Sequence, residues 1–256
     1  MPEGTRSDSQ LPTVMTVPCF SGAPWDLEKL DPLSDLPLKT MRLPESVDDV
    51  EQYADFVERQ IADLGCYVLV GDSFGAVVSL AFATRQPSGL RALVLSGGFA
   101  ANPVRNPLLK VRIRAARFFQ GPLYRWITLR MHAASLASPF DSEGEVPWSE
   151  AKSRQLFTEN TPYSSYVARA KAVLDVDYLD RLSRINVPTL IITPEHDTLI
   201  GERPAKEMLE GIADAHEVVL ERTGHMLRYS HPVTYARTIR AFLEERFGDN
   251  LQAACA

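Results

Sequence analysis

Cysteine is scarce in this chain of 256 residues: there are three, at positions 19, 66 and 255. So small, odd and scattered a set, without metal-ligand spacing, reads as free thiols in a reducing compartment, which makes the cytoplasm the expected location. Long apolar runs are also missing. No stretch approaches the roughly 20 residues that span a bilayer, and residues 1–10 are polar, without the apolar centre of a secretory signal. A net charge of −6 offers no field for a nucleic-acid partner. Internal repeats and low-complexity segments are absent. One absence is local: between Asn102 and Phe140 there is no Asp or Glu, although 23% of the chain is charged.

What remains is an ordinary globular composition, 45% hydrophobic, on a chain long enough for one sizeable α/β domain with an insertion. Its centre is Cys66 to Leu80. An apolar, β-branched run leads into Gly71-Asp72-Ser73-Phe74-Gly75, and small apolar residues follow. Strand, G-x-S-x-G and helix in that order form a nucleophile elbow, in which a strained turn lifts a serine hydroxyl clear of the sheet. The flanking glycines keep Cβ atoms out of the space where the helix folds back on the strand.

Around this centre, strands are expected at Thr13–Val17, within Leu36–Leu43, at Leu90–Ser96, Pro188–Thr193 and His216–Leu220. Helices are expected from Val47 to Leu64 with Ser46 as N-cap, near Ala205–Ile212 and over Val233–Phe247. This alternation implies parallel βαβ units, with functional groups in the loops beyond the carboxyl ends of the strands. The rhythm breaks from residue 102 to 186, where only helical patterns interrupted by Pro122, Pro139 and Pro162 occur. The chain therefore divides into a core, 1–101 and 187–256, and a helical cap, 102–186.

A serine hydroxyl needs a base, and the base needs an orienting group. Of the five histidines, His225 lies in the loop after the last strand and before the closing helix, on the same sheet edge as Ser73. His132 falls in the insertion, His216 opens a strand at the opposite edge, and His231 precedes a proline. Asp197 follows the Pro188–Thr193 strand and is the preferred orienting acid, with Glu195 as the alternative; Asp72 more naturally supports the elbow. The amides of Phe74 and Phe20 are the candidate oxyanion donors. Cys19, Phe118, Phe119, Trp126 and Met226 are the candidate substrate-binding residues. Cys19 equally fits an inert thiol.

These motifs, with Leu93-Val94-Leu95-Ser96-Gly97-Gly98 and Gly224-His225, resemble the α/β-hydrolase superfamily, and more narrowly its small, capped carboxylesterase-like members. The resemblance runs from about Thr13 to Phe247. It implies an α/β fold with a mostly parallel sheet of about six strands, helices on both faces, and a Ser73–His225–Asp197 triad. It also implies no cofactor, no metal, and hydrolysis of a small-molecule ester through an acyl-enzyme. Pro18-Cys19 departs from the His-Gly usual before the oxyanion residue, and Ser73 stands where aspartate-nucleophile members carry their acid. Short- to medium-chain acyl esters are the leading substrate class. Thioesters or carrier-protein esters, lactones and carbon–carbon substrates use the same machinery, and a binding protein without turnover could share the fold. Arg105, Lys110, Arg112, Arg114, Arg117, Arg125 and Arg130, interleaved with apolar residues, either form the solvated back of a roof over an acyl pocket or dock an acidic carrier protein.

Overall fold

The short β-branched runs of the sequence pair into a single sheet. The computed structural model describes residues 11–104, 106–115, 122–140, 143, 147–248 and 251–255. Strands β1 (Thr13–Val17), β2 (Leu38–Thr40), β3 (Tyr67–Asp72), β4 (Leu90–Ser96), β5 (Thr189–Pro194) and β6 (Ala215–Leu220) lie in the order β2-β1-β3-β4-β5-β6. Every neighbouring pair is parallel. Residues of β3 and β4 point alternately into two separate cores, so both strands read as continuous apolar runs.

Helices cover both faces. Met15, Leu69, Leu93, Leu95 and Ile191 pack on one side with α1 (Val50–Gln60), α2 (Phe74–Ala83) and α7 (Arg203–Gly211). Val14, Val68, Val70, Val94 and Ile192 pack on the other with a 3-10 segment at Leu27–Leu33 and α9 (Pro232–Phe247). Helix α9 buries Tyr235, Ile239, Phe242 and Leu243, the spacing of one helical stripe. A four-residue helix, α8 (Leu227–Ser230), precedes it. Between β4 and β5 come α3 (Pro107–Ala115), α4 (Pro122–Ser135), α5 (Glu150–Asn160), α6 (Tyr163–Ala172) and a 3-10 turn at Leu179–Arg184. The described residues of this insertion hold no strand, only an isolated bridge from Asp177 back to Ala101.

Two expectations are corrected. Helix α1 starts three residues later than its apolar pattern suggests, because Asp49 rather than Ser46 is the N-cap. The Asp49 carboxylate accepts the Glu51 amide at 2.9 Å, whereas Ser46 sits at φ 58°, outside the conformation a cap requires. The cysteines are not all free either. Cys66, the residue before β3, is bonded to Cys255, 189 residues away, and only Cys19 is a thiol. The chain's last 3-10 turn, Leu251–Cys255, returns to this edge of the sheet, a long-range approach that cysteine spacing cannot register. Cysteine count therefore carries no argument for a reducing compartment. Among the described residues, no helix is long and apolar enough to cross a membrane.

A cross-link that closes so long a loop acts chiefly on the unfolded chain. Cys66→Ser is expected to lower unfolding free energy by about 2–4 kcal/mol and wild-type protein in reductant to fall to the same level, measured by urea denaturation with and without dithiothreitol.

Candidate active site

At the end of β3 the backbone turns at Ser73 with φ 54° and ψ −114°, a conformation that side-chain-bearing residues rarely adopt. Its amide is held by the Ser96 carbonyl at 2.7 Å, and the apolar first turns of α2 lock the other side. The turn closes only because Gly71 and Gly75 flank it. A Cβ at Gly71 would lie 2.5 Å from the Gly75 carbonyl oxygen, and one at Gly75 would strike the Val17 and Pro18 carbonyls. The start of α2 thus rests against the carboxyl end of β1, placing Phe74 beside the loop that carries Phe20; the two rings meet edge to face at 5.9 Å.

The loops after β5 and β6 bring the partners. Ser73 Oγ lies 2.8 Å from His225 Nε2, and His225 Nδ1 lies 2.7 Å from Asp197 Oδ2. The other Asp197 oxygen accepts the Leu199 and Ile200 amides, each at 2.9 Å. These bonds are satisfied together when Nδ1–H donates to Asp197 and Nε2 accepts the serine hydroxyl proton. Glu195, the alternative acid, is exposed and accepts the Arg222 amide at 2.6 Å instead. His225 is 4% exposed. Burial depresses its basicity, but the adjacent Asp197 carboxylate outweighs burial and holds the imidazole above its ordinary value. Burial raises the Asp197 carboxyl in turn, but His225 and the two amides more than offset this and leave it below the ordinary range.

The Phe20 and Phe74 amides have no acceptor among the described residues. The Phe20 loop is pinned by a residue of the insertion that no sequence pattern singles out. Arg169, on α6 and 1% exposed, donates to the Phe20 carbonyl at 2.9 Å, the Pro44 carbonyl at 3.2 Å and Tyr53 Oη at 3.3 Å. Its guanidinium fills the space a side chain at Gly22 would need. A second buried arginine, Arg228, pairs with Asp72 at 2.9 Å. It lies between the Trp25 and Tyr229 rings, 4.1 and 3.9 Å from their centroids. The pair joins the residue before Ser73 to the turn after His225.

The insertion presents a different face of α4 from the one expected. Trp126 is 56% exposed, with Arg130 over its ring, and so does not line the site. Leu129, His132, Ala133 and Leu136, spaced at three and four residues, turn inward. His132 stacks on Phe157 at 4.9 Å, meets Phe20 edge-on at 5.3 Å and bonds through Nδ1 to Tyr166 Oη at 2.9 Å. Met226, next to His225, packs with Leu136 and Phe157. Cys19 is buried with its sulfur towards Ser21 and Tyr229, and so is not offered to a substrate. Phe118 and Phe119 lie outside the described residues, as do Arg105 and Arg117. Of the other basic residues, Arg114 pairs with Asp175 and Arg130 with Glu150, which diminishes the open charge available to an acidic carrier. His196, His216 and His231 take partners away from Ser73: Phe140, Asp214 and Ser230. Among the described residues, no cluster of His, Cys, Asp and Glu forms a metal site.

The strained serine turn at the end of a central parallel strand, with a carboxylate and an imidazole from the loops after β5 and β6, defines a class. The chain belongs to the alpha/beta hydrolase family, whose model matches residues 12–238. Among curated proteins it is similar to a proline iminopeptidase from Thermoplasma volcanium, 24% identical over 78% of this chain and 72% of that one. A pyrrolizixenacetamide deacetylase from Xenorhabdus hominickii is 27% identical over 68% of this chain and 64% of its own. Among solved structures, the enol-lactonase from Burkholderia xenovorans LB400 superposes with a TM-score of 0.73 at 18% identity, covering 91% of this chain and 92% of that one.

Two measurements follow from the buried charges. His225 is expected to titrate above 6.5 and to move down in Asp197→Asn, read by imidazole NMR. Because its value is raised on folding, its stabilising contribution is complete below pH 6.5 and is lost as pH rises through the folded value. That of Asp197, whose value is lowered, is present above pH 3.8 and lost as pH falls. Arg228→Met, which strands the Asp72 carboxylate, is expected to cost about 3–5 kcal/mol in urea denaturation. Asp72→Asn in the same chain should recover part of that loss.

Proposed function

We propose that this protein is a serine hydrolase that cleaves short- to medium-chain carboxylic esters through an acyl-enzyme. The observation that carries the reading is the unbroken hydrogen-bond chain Ser73–His225–Asp197, 2.8 and 2.7 Å long. Ser73 Oγ attacks the ester carbonyl carbon while its proton passes to His225 Nε2, and Asp197 stabilises the resulting imidazolium. The carbonyl oxygen, now negative, takes the Phe20 and Phe74 amides, donors typically worth about 3–4 kcal/mol each. Collapse breaks the bond to the alcohol, which leaves with the proton from His225. Water then repeats the sequence on the acyl-enzyme, releasing the acid and restoring Ser73.

Phe20, Leu129, Leu136, Phe157 and Met226 offer the acyl chain an apolar wall. In this reading residues 102–186 act as a cap, and Arg169 ties the cap to the oxyanion loop, so cap position and donor position move together. Two of the curated relatives are named as a peptidase and a deacetylase, names consistent with attack at an acyl carbon.

Ser73→Ala is expected to lose fluorophosphonate labelling and to lower kcat for p-nitrophenyl butanoate by about 10⁴-fold or more. Turnover by the purified variant at the wild-type rate would refute the assignment.

A further inference from the structure

His132 is not used by the chemistry above, yet it lies in the wall of the same site. Its ring stacks on Phe157 and meets Phe20, which in turn touches Phe74, the residue after the nucleophile. The contacts form a continuous surface from the elbow to the imidazole. His132 is also near enough to His225 for positive charge on the two rings to be opposed, and burial pushes its own value down to about 4, so the ring is neutral at working pH. Nδ1 and Tyr166 Oη are 2.9 Å apart, and with the phenol as donor the N–H of the neutral ring lies at Nε2. The ring hydrogen bond of His132 among the described residues is made by Nδ1, which leaves Nε2 for a bound molecule.

A wall meant only for hydrocarbon gains nothing from an imidazole. Leucine or phenylalanine would stack equally well there, whereas a partly buried imidazole also presents an N–H to whatever enters the site. The arrangement is useful when a bound molecule brings an oxygen to that N–H, and it then penalises molecules that bring none. We propose that His132, oriented by Tyr166, is a polar anchor that donates a hydrogen bond to a second oxygen of the substrate, outside the scissile ester. The substrate class is therefore an oxygenated ester, with a ketone, ether or further carboxyl oxygen in its acyl or alcohol part. This rests on the ester-hydrolase reading and narrows it.

The test uses three matched pairs: p-nitrophenyl pentanoate against 4-oxopentanoate, p-nitrophenyl butanoate against methoxyacetate, and butyl against 2-methoxyethyl butanoate. Each kcat/KM is divided by the ester's hydroxide-catalysed rate, which removes intrinsic reactivity. Wild-type protein is expected to favour the oxygenated member of at least one pair by about tenfold or more. His132→Phe should bring that ratio to within about twofold of unity and Tyr166→Phe should lower it less, while His132→Gln, which keeps an N–H donor, should restore part of it. A general packing defect would lower both members of a pair together and leave their ratio unmoved. Hydrolysis of all six esters without preference, or a preference that survives in His132→Phe, overturns the anchor alone. Failure to hydrolyse any ester together with failure to label Ser73 refutes the hydrolase reading and the anchor with it.

Discussion

Close packing of α2 against the carboxyl ends of β1 and β3 is the constraint on which the site depends. Three positions without side chains permit it. Gly71 and Gly75 let the helix fold back on its own strand and onto the Val17 carbonyl, and Gly98 leaves room for Ala76. The strain this imposes at Ser73 is borne by a helix start whose every residue from Phe74 to Ala83 is buried. Backbone strain of roughly 1–3 kcal/mol persists only where surroundings over-determine it. The same packing sets Phe74, the residue after the nucleophile, against Phe20 of the loop after β1.

The second organising feature is the number of full charges held away from water. Asp197 is matched by His225 and two amides, and Asp72 by Arg228. Arg169 spends its donors on carbonyl and phenol oxygens. Such groups rarely add net stability over apolar replacements of equal volume, and they exact a large penalty when one partner is removed. Their effect here is geometric. The nucleophile loop and the histidine loop are joined twice, by the Ser73–His225 bond and by the ion pair behind it, and the Phe20 loop is fastened to the insertion. Groups that would drift independently are fixed relative to one another.

Most of the core was legible because its signals are local. β1 and β4 lie where their β-branched runs begin and end, and the other strands and α9 differ by a few residues at most. The elements that misled were decided by distant contacts. Ser46 and Asp49 are both reasonable caps by residue type, and the chain direction entering α1 selects between them. Trp126 and His132 both lie on α4, and apolar content favoured the tryptophan. Packing against Phe157 and Phe20 instead turned the histidine inward. A histidine on the same helical stripe as Leu129 and Leu136 was the available clue.

By itself the sequence determined the order of strands and helices, the strained turn at Ser73, and an order of serine, aspartate and histidine that sets all three at one sheet edge. These follow from periodicity and from the rule that loops after parallel strands emerge on the same side. Tertiary structure alone decided that Cys66 meets Cys255, that Arg228 neutralises Asp72, that Arg169 reaches Phe20, and which face of α4 packs on Phe20 and Phe157. Each of these joins residues from distant segments, and such partners are chosen by where whole elements come to rest, which no local pattern encodes.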